Sequence, residues 1–355
     1  MPRPVQSRIG IWFTGVCLLA TMLFPCACNL EHSEGIISAA GSFGDLAVVI
    51  SSESLRAGAQ TFLNRLNQPV SFVIREERPF SIDIYGPDKW KLSRNYKNIL
   101  WLVDWNDGGS LVKEVRSRLD DETAARVGSG QERLVQFQDP YARYQHAILV
   151  VANDRNELMS YLNRNLVRVQ RLLEESVTSR LIKRNRREGI HEQLRDKYWQ
   201  IHGFSIDIPI TYRENQVEPD GQTVIEWMRN GPSRGITVSW DKRVEPERLL
   251  QDREALLTFR RQMGELVHDE DLVELSFAWQ DTMLAEFPCV KLTGAWAGRG
   301  FNGGGPFWSF FLADPERGRL YCLDLLTFSP GQDKMNYFRE MHAIASTFSW
   351  QQPPR

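Results

Sequence analysis

The sequence predicts an α+β protein built from two units joined by a long helix. Three observations predict it. Short apolar segments with strand character recur on both sides of the chain's middle. Between them, apolar residues repeat at helical spacing from Leu158 to Leu173. A chain of 355 residues also exceeds what one hydrophobic core usually holds. The expected organisation is a signal peptide over 1–27, a lipidated tether over 28–44, an N-terminal domain over 45–152, a connector helix over 153–200 and a C-terminal domain over 201–350.

In the first domain, Asp45–Ser51 reads as a buried strand. Glu53–Leu66 follows as a helix with Leu55, Phe62 and Leu66 on one face. Phe80–Tyr85 alternates apolar with polar residues and reads as a strand, and Asn98–Trp105 as a central one. A helix over Leu111–Leu119 precedes a polar loop at Val127–Gln131, and Arg133–Phe137 and Ala147–Ala152 complete the strands. The order strand, helix, strand, strand, helix, strand predicts a ferredoxin-like split βαβ sheet with an extra strand and helix.

Asp154 and Glu157 have capping-box spacing and open the connector helix. Its middle carries Arg180, Lys183, Arg184, Arg186 and Arg187. That run suits anionic headgroups, or a solvated face balanced by Glu174, Glu175 and Glu188. Beyond Gly203, strands are expected at Phe204–Ile208, Thr223–Met228 and Gly235–Trp240, then a helix from Pro246 to Met263. Four strands follow, Leu272–Trp279, Leu284–Trp296, Phe307–Ala313 and Arg319–Phe328, with Pro288 marking a bulge or edge. A helix over Asp333–Phe348 closes an antiparallel sheet with two helices.

The N-terminus carries the clearest functional signal. Met1–Arg8 holds two arginines and no acid, and Ile9–Phe24 is a short apolar run. Ala27-Cys28 follows at once, which is the layout of a secretory signal ending in a lipid-modified cysteine. Pro25 and Cys26 are irregular for such a site, and a plain cleaved signal or an uncleaved anchor fits the same residues. Lipidation at Cys28 would anchor the chain to a membrane, since each buried methylene contributes ~0.8 kcal/mol. The expected location is the cell envelope, with the outer membrane preferred to the inner.

Hydrophobic residues at 42% and aromatics at 11% are those of a globular protein. Without Arg3 and Arg8 the mature chain has 41 basic and 45 acidic side chains, which gives no reason to expect nucleic-acid binding. Cys289 and Cys322 sit in strand-like segments and are read as a disulfide or as two buried thiols. Neither has histidines at zinc-site spacing.

Catalytic motifs fail on context. Gly298-Arg299-Gly300-Phe301-Asn302-Gly303 matches a dinucleotide fingerprint, but Pro306-Phe307-Trp308 starts a strand where that motif needs a helix. No G-x-S-x-G elbow occurs, and His191-Glu192 lacks its second histidine because position 195 is Arg. Asp269, Glu270, Asp271 and Glu274 form an acidic run that is read mainly as solvated. The glycine-rich loop itself is the candidate contact site for a ligand or partner. It comprises Trp296, Arg299, Phe301, Asn302, Gly304, Gly305, Phe307 and Trp308, where exposed N–H groups beside aromatic rings suit an anion, a sugar or a peptide strand.

Three patches resemble a known family: Asp139-Pro140-Tyr141-Ala142-Arg143-Tyr144-Gln145; Ile208-Pro209 with Tyr212 and Glu226-Trp227; and Gly294-Ala295-Trp296 followed by Gly304-Gly305-Pro306-Phe307. The chain is similar along most of its mature length to the bacterial envelope lipoproteins grouped as domain of unknown function forty-eight thirty-seven. The resemblance implies a lipid-anchored envelope protein and carries no catalytic residue. The combined expectation is a non-enzymatic lipoprotein with no cofactor and no metal, which binds an envelope protein or glycan. The alternatives are an envelope hydrolase, drawing on Asp207, Asp324, His202 and the 269–274 acids, and a periplasmic solute-binding protein.

Overall fold

The computed structural model describes residues 37–72, 75–217, 224–242, 245–300 and 303–351. The signal segment, Cys28 and the tether up to residue 36 lie outside the described residues, as do Phe301 and Asn302. Among the described residues, no helix is long and apolar enough to cross a membrane.

The chain is α+β, with a mixed five-stranded sheet followed by a seven-stranded antiparallel one. The first unit contains β1 (Asp45–Ile50), α1 (Arg56–Leu66), a small hairpin of β2 (Val70–Phe72) and β3 (Arg75–Glu77), then β4 (Ser81–Tyr85) and β5 (Asn98–Asp104). Helices α2 (Ser110–Arg116) and α3 (Asp121–Gly128), strands β6 (Leu134–Gln138) and β7 (His146–Ala152), and helices α4 (Arg155–Arg164) and α5 (Leu166–Glu188) complete it. The sheet order is β4-β1-β5-β7-β6; only β6 runs antiparallel to its neighbour.

This corrects the ferredoxin-like expectation, and the reason lies in the strands. Val48, Val49 and Ile50, or Trp101, Leu102 and Val103, are apolar on both faces, so the sheet needs cover on both sides. Helices α1, α4 and α5 cover the face carrying Leu46, Val48, Leu100 and Ile148. A 3-10 turn at Trp90–Asn95, with α2 and α3, covers the face carrying Val49, Trp101 and Leu149. Helix α3 fills the stretch between the expected helix and the polar loop at Val127–Gln131, ending at Gly128. Asp120 caps it, its carboxylate accepting the Thr123 N–H at 2.7 Å.

The connector is three helices, not one. Asp154 caps α4 as its spacing predicts, accepting the Glu157 N–H at 2.9 Å. The helix breaks at Asn165, and again at Gly189, whose φ of 114° only glycine adopts readily. Leu158, Leu162, Val169 and Leu173 belong to the first unit's core, so α4 and α5 are a layer of that unit.

The second unit opens with α6 (Glu192–His202). Residues 204–208 are buried but form no strand. Next come β8 (Arg213–Val217), β9 (Val224–Arg229), β10 (Ser233–Lys242), α7 (Pro246–Leu249) and α8 (Arg253–His268). Strands β11 (Glu270–Leu284), β12 (Phe287–Gly298), β13 (Gly304–Asp314) and β14 (Arg319–Phe328) lead to α9 (Met335–Ala345). The order β11-β12-β13-β14-β10-β9-β8 places α9 over one face, against Phe310 and Leu323, and α8 over the other, against Phe307 and Cys322. Pro288 pairs with Met283 of β11 but lies beyond the β12–β13 register, where no neighbour asks for its missing N–H. The bulge is in β11, between Val273 and Ala278.

The units dock directly. Glu77 of β3 accepts the backbone N–H groups of Lys334 (2.6 Å) and Met335 (2.9 Å), capping α9 from the other unit. Arg339 of α9 donates twice to Glu174 of α5, at 3.0 and 2.5 Å.

Candidate functional site

The glycine loop does not gather its candidate residues into one site. Gly304 and Gly305 start β13 where it is pinched between β12 and β14. A Cβ on Gly305 would stand 2.0 Å from the Thr327 carbonyl oxygen, and one on Gly304 2.4 Å from that of Trp296. Both glycines are therefore packing requirements. Trp296 and Phe307 are buried in the core beneath α8. Trp308 faces the opposite side of the sheet, half-buried, with its ring 4.5 Å from that of Phe338 and the Lys291 ammonium 3.4 Å above it. Arg299 is exposed and pairs with Asp271 and Glu265, each at 2.7 Å.

A different constellation converges beneath α8. Asn215, Glu226, Thr237, Asp324 and Ser309 are direct cross-strand partners in one row across β8, β9, β10, β14 and β13. Strand alternation aims them at the same face. Three of them sit in otherwise apolar stretches: Glu226 in VIEWM, Asp324 in YCLDLL, Ser309 in FWSFF. Arg260 descends from α8 onto this row and is fully buried. Its Nε donates to Asp324 Oδ1 at 2.8 Å, and its Nη2 lies 2.6 Å from Glu270 Oε1. Ser309 donates to the same Asp324 oxygen at 2.5 Å. The Phe307 ring lies 4.7 Å from the guanidinium, so the Gly-Gly-Pro-Phe patch buttresses Arg260.

Charge is settled inside this cluster. Burial opposes the Arg260 charge, but Asp324 and Glu270 outweigh it and hold the guanidinium protonated. Burial raises Asp324 despite Arg260. Burial also pushes Glu226 up to about 7, with Glu270 and Asp324 adding to the rise and the Asn215 amide opposing it. His268 lies 3.4 Å from Glu226. Burial and then the Arg260 charge push this imidazole down to about 4, so it is neutral at pH 7. The arrangement can hold a proton between carboxylates, but Arg260, Asp324 and Ser309 are 0% exposed and Glu270 2%. A substrate cannot touch them.

The other candidates are dispersed. Asp207 pairs with Arg186 (2.6 Å) and, more distantly, Arg195 (3.7 Å). His202 lies among Tyr198, Phe204 and Trp240. Glu274 pairs with Arg261 at the surface. Of the acids named for a hydrolase, only Asp324 and Glu270 meet. Sequence reasoning missed Arg260, Glu226 and Thr237; for Glu226 and Thr237 the signal was a lone polar residue inside an apolar run, and for Arg260 a charge on the helix face shared with Leu256, Phe259 and Met263. Cys289 and Cys322 are free and point to opposite faces of the sheet, which excludes a disulfide between them. Burial pushes the Cys289 thiol up to about 12. Among the described residues, no group of histidines, cysteines and acids could hold a metal ion.

Two family models match the chain. Residues 39–186 match one described as Domain of unknown function (DUF8532), and residues 192–347 one described as Domain of unknown function (DUF4837). The resemblance inferred from sequence is therefore narrower than expected: the Asp139–Gln145 patch falls within the first match, the other two patches within the second. No curated protein matches the sequence. A crystal structure of a protein from Bacteroides thetaiotaomicron VPI-5482 is similar at 10% identity and a TM-score of 0.27, covering 42% of this chain and 45% of that one. The chain thus spans less than half of that protein's length. The crystal structure of LpqN, described as involved in cell envelope biogenesis of Mycobacterium tuberculosis, is similar at 13% identity and a TM-score of 0.28, covering 41% of this chain and 82% of that one. Over residues 192–347, the second unit, the chain is similar to the family described as Domain of unknown function (DUF4837).

Proposed function

We propose that the chain is a cell-envelope protein, exported by its N-terminal segment, tethered to a membrane through Cys28, and acting by binding rather than catalysis. The observation that carries this reading is the enclosure of the acidic constellation that converges beneath α8. Arg260 neutralises Asp324 and Glu270 inside the second unit, and α8 closes over them. Hydrolysis of a glycan or peptide needs its acid and base within hydrogen-bond reach of substrate. Asp207, Asp271 and Glu274, also named for that chemistry, are already held in ion pairs. The lipoprotein layout of Met1–Cys28 supplies the tether. Partners are an envelope protein or glycan, and the contact surface nearest the sequence expectation is the exposed end of the Gly298–Phe307 loop, with Arg299.

Crosslinking and affinity capture of the full-length protein from native membranes tests this. Wild type is expected to retain a defined envelope component, and Arg299→Ala to retain several-fold less with little change in melting temperature, since exposed ion pairs contribute little to stability. Hydrolysis of cell-wall glycan or peptide by the purified protein, abolished in Asp324→Asn, would overturn the reading. So would the absence of any specifically retained component.

A further inference from the structure

We propose that a hollow between α5 and β6 binds a small oxyanion, a carboxylate or phosphate carried on a body no larger than about one sugar ring. The hollow measures about 240 Å³. One water occupies about 30 Å³ in the liquid, so the space suits roughly eight waters or one such molecule. Gln136 and Gln138 of β6 form one wall, and Ser176, Ser179, Arg180 and Lys183 of α5 the other. The site lies in the opposite unit from the Gly298–Phe307 loop and does not depend on it.

The argument starts from Arg180. Four arginines are buried among the described residues: Arg180, Arg234, Arg260 and Arg339. Arg234 has Glu340, Arg260 has Glu270 and Asp324, and Arg339 has Glu174 within ion-pair distance. Arg180 has none. Its Nε donates to the Ser176 carbonyl (3.1 Å), its Nη1 to those of Lys97 (2.7 Å) and Tyr144 (2.8 Å), and its Nη2 to Asn98 Oδ1. All four acceptors are neutral. Burial pulls the guanidinium down to about 10, with Asp139 opposing from a longer range, so it remains a cation at pH 7. A buried charge without a counter-charge is unfavourable, because its lost hydration is not replaced. A ligand that supplies the missing negative charge offsets that cost.

The surroundings match such a ligand. Lys183 stands one helical turn from Arg180, exposed and without an ion pair among the described residues. Glu175, the acid on the wall, faces Arg171 at 3.6 Å. His146 contributes no charge, because burial and then Arg180 push it down to about 3. The net charge of the hollow is therefore positive. Hydroxyl and amide donors ring it, and the Ser176 hydroxyl has no partner. Positive charge with several neutral donors is the chemistry that binds carboxylate and phosphate oxygens.

Calorimetric titration of the full-length protein tests the assignment with inorganic phosphate, glucuronate, neutral glucose, and vesicles of phosphatidylglycerol or phosphatidylcholine. Phosphate or glucuronate is expected to bind saturably, and glucose to bind at least tenfold more weakly. Lys183→Glu should weaken the anion about tenfold, and Ser179→Leu should abolish binding by filling the mouth. Both positions are exposed, so the melting temperature should hold. Saturable binding of phosphatidylglycerol vesicles alone, lost in Lys183→Glu, assigns the oxyanion to a lipid headgroup. The proposal is overturned if no anion binds saturably, if glucose binds as well as glucuronate, or if binding survives both substitutions.

Discussion

Acidification from pH 6.5 to 4.5 is expected to destabilise the protein by about 1.4–2.7 kcal/mol per pH unit, a net difference of one to two protons. Three imidazoles drive it, His146 buried and His268 and His342 half-buried. Burial holds His146 down to about 3, and His268 and His342 to about 4, each below the ordinary value of 6.5. In this window the unfolded chain takes up three protons that the folded protein refuses, so these groups cost stability as pH falls. Glu226 acts in the opposite sense. Its carboxyl is raised to about 7, so the folded protein holds a proton that the unfolded chain releases above 4.5. That contribution is complete below pH 4.5 and lost as pH rises through 7. Raised Asp324 has the same sign, which sets the lower end of the range. Urea titrations at half-unit pH steps check the slope. His342→Asn should remove one proton from it, and a flat or inverted profile would refute the assignment of these environments.

Arg260→Met should cost about 3–5 kcal/mol, because it leaves Asp324 and Glu270 facing each other without their cation. The remedy is equally specific. Replacing all three partners, as Arg260→Met with Glu270→Gln and Asp324→Asn, should recover most of that loss, since a buried pair is worth little against neutral groups of similar shape. The three sites share one network, so the effects should be strongly non-additive. Chemical denaturation of the single, double and triple variants gives the coupling. Additive losses would mean that Arg260 contributes packing against Phe307 rather than charge.

Most strands of both sheets were legible because apolar runs announce them, and Arg319–Phe328 coincides with β14, whereas the polar β8 gave no such run. The error in the first sheet's topology arose from counting elements instead of faces. Leu100, Trp101, Leu102 and Val103 have no polar alternation, which already demanded cover on both sides. Helix α3 was missed because only Val127 among its residues is buried, so it lacks an apolar stripe. The connector's break at Gly189 rests on one positive φ inside a polar stretch. The polar row was harder. Its members are separated by up to about a hundred positions, and only sheet register brings Glu226, Thr237, Asp324 and Ser309 into line. The glycine loop misled in the other direction: its composition suggested a ligand cradle, but Gly304 and Gly305 are small because neighbouring carbonyls leave no room for a Cβ.

Tethering is the claim on which the functional account depends, and it rests on one sulfur atom. Metabolic labelling with an alkyne fatty acid, followed by membrane fractionation, measures it directly. The account predicts a labelled wild-type protein that sediments with membranes, and a Cys28→Ser variant that is unlabelled. A wild type that takes up no fatty acid, or a Cys28→Ser variant still labelled and membrane-bound, would contradict it.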